Sequence, residues 1–356
     1  NLNDISKYSN LEDIEFTNAF LNEEPTNKPL LAGGEGLVED SSFDGGFSET
    51  TTASFSVDAT IGSIDGDTVS EATVFEYQYN IGLSTSFTGE DSLDVAIDSG
   101  STATSTATNP MAFDTGAGLS VDGVTYSFPV GGISMVVGVD TDVSSSFTGA
   151  CSYSAFTDYM GDCGTGNTLG AGGKGLTATG GYEFDSGLSI AAGVSSTADG
   201  DDQAANKVGI MTEEGADSVG INVAYTADSW GLAAAYIHDD AAAEDGTSSL
   251  GIQGTYTFDG ESLPSLSAGY ETQHTAGTSS SGYFVGLTWP EVGPGSVSVG
   301  AATKGNFADT ATEYMIYEAS YSYPVNDGLT VSPGVIIQET AGDDLTAIFV
   351  KSSFAF

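Results

Sequence analysis

From Thr51 to the end of the chain, apolar and polar residues alternate in short runs separated by glycine-rich turns. Phe55, Val57, Ala59 and Ile61 share one parity, with Ser54, Ser56, Asp58 and Thr60 between them. Phe75, Tyr77, Tyr79, Ile81 and Leu83 are interleaved in the same way with Glu76, Gln78, Asn80 and Gly82. Successive side chains of a strand point to opposite faces, so a period of two predicts strands that separate two media. Later runs centre on Val95, Tyr126, Val137, Ala178, Ile190, Val223, Ala234, Ile252, Ala268, Val285, Val299, Tyr317, Val335 and Val350, giving about sixteen strands in all. No apolar stretch approaches the ~18 residues that a membrane-spanning helix requires.

The connections between these runs alternate in length. Ser99–Gly118, Val143–Gly173, Thr197–Ala216 and Asp239–Thr247 are long, whereas Gly89–Ser92, Gly131-Gly132, Ser186-Gly187, Asp228-Ser229 and Pro324–Gly328 are short. Beside the short connections lie Phe87, Phe128, Phe184, Tyr225, Trp230, Phe258, Trp289, Tyr323 and Phe356, which include both tryptophans of the chain. Aromatic rings collect where hydrocarbon meets headgroups, so this set is expected to form an aromatic girdle. The expected fold class is all-β: a transmembrane antiparallel up-and-down barrel of about 16 strands over residues 51–356, multi-pass in an outer membrane. Residues 1–50 lack sustained alternation and are expected to form an N-terminal periplasmic or pore-lining extension.

Charge narrows the function. Fifty acids face six lysines and no arginine, for a net charge of −44. Nucleic acid is excluded as a partner, because nothing here could neutralise phosphates. Asp58, Glu76, Asp94, Asp98, Asp122, Glu183 and Glu271 fall on the polar parity and are expected to line a pore. So many acids could not be packed dry without cationic partners, so that face must surround water and favour cations. Cys151 and Cys163, 12 positions apart in a polar stretch without nearby histidine, fit a loop disulfide better than a metal site. No cofactor is expected, beyond calcium or magnesium held loosely at acidic loops such as Asp199-Gly-Asp-Asp202 or Asp343-Asp344.

The final segment, Lys351-Ser-Ser-Phe-Ala-Phe356, resembles the terminal signature of bacterial outer-membrane barrels, which the barrel-assembly machinery reads. Tyr79-Asn-Ile-Gly-Leu-Ser-Thr-Ser-Phe-Thr-Gly-Glu-Asp-Ser-Leu-Asp-Val-Ala-Ile-Asp-Ser-Gly100 is similar to the "NLxTSFTGxDxL" stretch of cyanobacterial outer-membrane porins. Val124-Thr-Tyr-Ser-Phe-Pro-Val-Gly-Gly132 resembles their "YxFPxGG" strand end. That family, often grouped with OprB-like porins, implies a homotrimer in outer-membrane lipid that passes small inorganic solutes. Larger members carry an S-layer-homology module, which is not evident in Asn1–Thr50. Sugar selectivity, associated with lumen arginines, does not carry over. In general porins the loop after the fifth strand folds inward. By that resemblance Asp140, Asp142, Asp158 and Asp162 are expected at the pore constriction, with Cys151–Cys163 bracing the loop.

Two other readings exist. A soluble or surface-attached, calcium-binding β-structured adhesin would explain the glycine and aspartate content, but requires a tandem repeat that the sequence lacks. His238-Asp239-Asp240 faintly resembles the His/Asp pairing of omptin-type proteases, yet no nucleophile motif accompanies it or His274, so no enzyme is expected. If the long loop enters the pore, neutralising Asp158 and Asp162 lowers cation preference, read as a smaller reversal potential in a salt gradient.

Overall fold

The computed structural model describes residues 50–356 apart from 67–71, 102–108, 114, 158–159, 171–174, 197–209, 211–215, 242–243, 261, 306 and 309–310. The N-terminal extension, Asp158, Lys174, Lys207 and the Asp199–Asp202 loop therefore lie outside the described residues. The first strands are β1 (Thr51–Asp65), β2 (Ala72–Thr85), β3 (Ser92–Gly100), β4 (Ser120–Val130), β5 (Ile133–Val139) and β6 (Thr177–Glu183). Next come β7 (Leu188–Ser196), β8 (Asp217–Thr226), β9 (Trp230–Ala241), β10 (Glu244–Thr257) and β11 (Ser265–Thr275). The remainder are β12 (Thr278–Val292), β13 (Gly295–Thr303), the two-residue β14 (Phe307–Ala308), β15 (Met315–Asn326), β16 (Leu329–Gln338) and β17 (Leu345–Ala355).

Each long strand pairs antiparallel with its neighbours, and β17 returns to β1, which closes a barrel of 16 strands. β14 is a short rung on β12 within the β13–β15 connection. At the seam Ser56 faces Ala355 and Asp65 faces Thr346. Phe55 and Phe356 then exchange backbone hydrogen bonds of 2.9 and 3.0 Å, and their rings stack at 6.0 Å. Closure leaves no free edge for another strand to join. A stacked-coil adhesin is not the architecture of this antiparallel, closed sheet.

Strand parity follows the sequence. Phe55, Ile61, Phe75, Tyr77, Ile190, Ile221, Val223, Leu250, Ile252, Val285, Val299 and Ile348 are exposed on the outer wall. A closed barrel with an apolar exterior is built to sit in a membrane, because every backbone group is satisfied within the sheet while lipid meets only side chains. The connections alternate as expected, with one correction. Asp239–Thr247 is not a long loop: β9 runs on to Ala241 and β10 resumes at Glu244, with a register shift between Glu244 and Thr247. Polar residues there continue the ladder because they need no burial.

Several of the aromatics beside the short turns stack in pairs. Tyr126 packs on Phe128 at 5.2 Å, Tyr182 on Phe184 at 4.7 Å, Tyr225 on Trp230 at 5.1 Å and Tyr256 on Phe258 at 4.8 Å. Phe87, Tyr323 and Phe356 are exposed, and Trp289 and Phe128 are half-buried.

One short turn explains the two sequence motifs together. Between β2 and β3, Asp91 Oδ1 accepts the Ser86 hydroxyl (2.9 Å), the Phe87 and Thr88 backbone N–H groups (2.9 and 2.7 Å) and the Thr88 hydroxyl (2.8 Å). Its Oδ2 accepts Tyr126 OH at 2.7 Å from β4. Ser86, Thr88 and Asp91 belong to the first motif and Tyr126 to the second, so the pair forms a single cross-strand cap. Burial alone would raise the Asp91 carboxyl, but these donors outweigh it and hold it well below the usual carboxylate range. A depressed carboxylate stabilises the fold above its unfolded value near ~3.9 and loses that contribution as pH falls toward the folded value. Asp91→Asn should therefore lower the thermal unfolding midpoint in detergent at pH 7. The difference from the unaltered protein should shrink below about pH 4, as measured by circular dichroism melts.

Candidate functional site: the barrel interior

The long connection between β5 and β6 runs inside the barrel, pinned to the wall residue by residue. Every second backbone N–H of one stretch donates to an inward side chain of a further strand. Thr148 N–H reaches Asn222 Oδ1 on β8 (2.8 Å), and Ala150 N–H reaches Gln253 Oε1 on β10 (2.8 Å). Ser152 N–H reaches Ser267 Oγ on β11 (3.0 Å), and Ser154 N–H reaches Thr288 Oγ1 on β12 (3.2 Å). Phe156 N–H reaches Glu318 Oε1 on β15 (2.8 Å). The stretch is extended, so alternate N–H groups face the wall and each step of two residues carries it toward the next strand.

Beyond Phe156 the chain turns back along the same wall. Gln253 Nε2 donates to the Asp162 carbonyl (2.8 Å) and to Thr165 Oγ1 (2.7 Å). Glu271 on β11 accepts Asn167 N–H (3.0 Å), Asn167 Nδ2 (2.6 Å) and the Thr168 hydroxyl (2.9 Å). Cys151 and Cys163 are joined as a disulfide, with Cα atoms 6.0 Å apart, which ties the outgoing and returning limbs.

Glycines make room for this course. A side chain at Gly193 or Gly181 would strike the loop backbone at Val143 or Ser146, and one at Gly251 would strike Thr168. One at Gly269 would lie 1.8 Å from the Cys163 carbonyl oxygen, and one at Gly334 would lie 2.1 Å from the Phe156 ring. Gly286 and Gly300 lie under Tyr153 in the same manner. These residues occupy inward positions on strands from β6 to β16, where a furrow of missing side chains lets the loop lie close to the sheet.

Under the loop the interior is dry. Tyr153, Phe156 and Met160 pack on inward-facing Phe284, Ala302, Ile316, Ile336, Ala347 and Phe349. Phe156 stacks on Phe349 at 4.3 Å, and Tyr153 meets Phe284 edge-on at 5.0 Å. The β3–β4 connection also enters. Met111 joins the same cluster, Thr60 Oγ1 donates to its carbonyl (3.3 Å), and Asn109 Nδ2 donates to Glu76 Oε1 (2.9 Å).

Two expected pore-lining acids are thereby corrected. Glu76 and Glu271 point inward but are buried, at 6% and 1% exposure, beneath the two inserted loops. Their carboxylates are occupied by loop donors instead of water, as buried carboxylates must be. Glu318, at 2% exposure, plays the same part and was missed by the sequence reading. The inward glycines were the available signal: they recur under the loop on β6–β16, Gly62 on β1 and Gly100 on β3 likewise lie against Phe349 and Thr115, and β1–β4 also carry Asp58, Gln78, Asn80, Asp94, Asp98 and Asp122.

The space that remains lies against that second wall. A cavity of about 490 Å³ is lined by Asp58, Gln78, Asn80, Asp98 and Asp122 on one side. Met111, Phe113 and Thr115 of one loop, Ala155–Thr157 of the other, and Lys351 complete it. Asp58 accepts Gln78 Nε2 (3.3 Å) and the Ser353 hydroxyl, and Asp98 accepts the Ser120 hydroxyl at 2.8 Å. Asp94 lines a smaller neighbouring cavity, and Glu183 is exposed at the turn end of β6. Asp140 starts the inserted loop in the left-handed region with φ of 51°, and Asp142 caps its first turn through the Ser144 N–H at 2.6 Å. The Asp162 side chain is exposed and lies over Gly170 within the loop. His238 and His274 each hydrogen-bond a serine of the neighbouring strand, Ser248 and Ser279, at 3.0 and 3.1 Å.

A closed barrel of this strand number, with its longest loop laid inside, decides the comparison with solved structures. The fold is that of the porins. OprB of Pseudomonas putida is similar over 86% of this chain and 94% of its own, with a TM-score of 0.68 at 10% identity. An anion-selective porin from Comamonas acidovorans is similar over 86% of this chain and 99% of its own, with a TM-score of 0.60 at 13% identity. OmpT, an outer membrane protein of Vibrio cholerae in trimer form, covers 86% and 100% with a TM-score of 0.58 at 11% identity. No protein-family model and no curated protein sequence matches the chain.

The furrow carries a direct test. Gly269→Ala forces a methyl group against the Cys163 carbonyl, which is backbone and cannot swing aside. Overpacking of this kind costs about 1–3 kcal/mol. The variant should unfold at lower temperature by circular dichroism in detergent and expose the inserted loop to protease. Gly116→Ala, where a methyl group meets nothing within 4 Å, should match the unaltered protein.

Proposed function

We propose that the chain is an outer-membrane diffusion channel that prefers small cations and works as a homotrimer. The observation that carries this reading is the division of the barrel interior. One wall is covered by a pinned loop, and a cavity of about 490 Å³ beside the loop is lined by Asp58, Asp98 and Asp122, which supports an acidic path for solutes. Carboxylates around a narrow aqueous path raise the local concentration of cations and repel anions. Solutes move down their gradients, and no chemical step is involved.

The fold by itself does not set the sign of the preference, since a protein of the same fold is described as anion-selective. The charges on the wall do. Here 50 acids stand against six lysines. The cyanobacterial resemblance and the exposed C-terminal Phe356, at 76% exposure, support assembly in an outer membrane through the barrel-assembly machinery. Trimerisation rests on the similarity to OmpT, an outer membrane protein of Vibrio cholerae described in trimer form.

In planar bilayers under a potassium chloride gradient, the reversal potential should carry the sign of cation preference. It should shrink as salt is raised, because screening shortens to ~3 Å at 1 M. Asp98→Asn with Asp122→Asn should shift it toward zero. An anion-selective reversal potential in the unaltered protein would overturn the reading.

A further inference from the structure

The peptide on either side of Phe156 is held from two directions by opposite charges. Its N–H donates to Glu318 Oε1 at 2.8 Å, while its carbonyl accepts Lys351 Nζ at 3.1 Å. Glu318 also accepts Tyr153 OH at 2.9 Å, Thr157 N–H at 3.0 Å and the Thr157 hydroxyl at 2.6 Å. The Lys351 ammonium stands 5.6 Å from the centre of the Phe156 ring, whose other contact is the stack on Phe349. The two charged residues come from β15 and β17, on either side of β16. Phe156 and Thr157 in turn line the open cavity, facing the wall that bears Asp58 and Asp98.

The geometry points to Glu318 and Lys351 as positioning residues that fix the width of the cavity between the loop and the Asp58 wall by clamping the Phe156–Thr157 peptide. This assignment rests on the channel reading above and adds which residues hold its width. Four donors converge on the Glu318 carboxylate, which is buried and has no second role open to it. A neutral amide in its place would turn one acceptor into a donor facing donors, and the tip would lose hydrogen bonds that no water reaches in to replace. Lys351 lies on the same cavity as the wall acids, where a pore cation would be expected to act on passing ions. Its hydrogen bond and its position over the ring aim it at the loop instead. On the structure, its removal frees the loop as well as removing a charge.

Single-channel recording separates a clamp from a plain pore charge. The unaltered protein should show one stable conductance level. Glu318→Gln and Lys351→Gln should each lose that level and flicker among several. Lys351→Arg should restore it, since guanidinium can still reach the carbonyl. Combining Glu318→Gln with Lys351→Gln should do little more than either alone, because both release the same peptide. If the single variants keep one stable level and only shift the reversal potential, the two residues are pore charges and the clamp is wrong.

Circular dichroism identifies any variant that fails to form the barrel. For such a variant, Glu318→Asp replaces Glu318→Gln: the shorter carboxylate should also lose the single level, and keeping it would overturn the clamp. Should the unaltered protein conduct nothing, the channel reading fails and the clamp is still decided, by protease cleavage within residues 140–176 of the folded barrel. Faster cleavage in Glu318→Gln and Lys351→Gln supports it; equal rates overturn it.

Discussion

A chain segment can lie inside a hydrated barrel only if its backbone donors find partners on the wall, and this requirement organises the interior. Backbone N–H groups that leave water without a partner cost more than the packing of a loop can return. Here Thr148, Ala150, Ser152, Ser154 and Phe156 present N–H groups on one side of an extended stretch. Asn222, Gln253, Ser267, Thr288 and Glu318 receive them on β8, β10, β11, β12 and β15 in turn. The alternation that makes each strand two-faced operates again in the loop, now at right angles in role: one side binds the wall and the other is left for the lumen. The loop is thus held as firmly as a strand without being part of the sheet.

The barrel interior is consequently divided into a larger and a smaller sector with different chemistry. On β6–β16 the inner face carries glycine and small residues beneath the loop, along with a dry cluster around Phe284, Ile316, Ile336 and, from β17, Phe349. On β1–β4 the inner face carries acids and amides that remain beside open space. Acids occur on both halves, but in different states. Glu271 and Glu318 are enclosed by hydroxyl, amide and backbone donors, while Asp58, Asp98 and Asp122 border the cavity. The disulfide between Cys151 and Cys163 lies within the loop, where it joins the limb held by Glu318 to the limb held by Glu271.

Strand parity was legible in the sequence because hydrocarbon and water impose opposite demands at every second residue. All sixteen long strands contain the residues on which the alternation centres. Aromatics named beside the short turns pair with neighbouring rings in the structure, Phe184 with Tyr182 and Tyr225 with Trp230 among them. What parity could not convey is whether an inward residue is wet. Glu76 and Asp58 read alike, yet one is buried beneath Asn109 and the other is half-buried beside the cavity. Phe349, on the same parity as Lys351, is the seat of Phe156. The entry of the β3–β4 connection left no trace in periodicity, because Asn109 and Met111 act singly. The inward glycines did leave one, visible only when the strands are aligned by facing direction.

The seam between β1 and β17 has a consequence for how the molecule is made. Phe55 bonds to Phe356, so the free edge of β1 is satisfied only when β17 is in place. Pairings so distant in sequence carry a large loop-closure entropy and form late. Until then both edges stay available to other partners, which is the interval in which aggregation competes with completion. A molecule of this design is therefore most vulnerable in the moments before β1 and β17 pair, and any escort that shields the β1 edge would act in that interval.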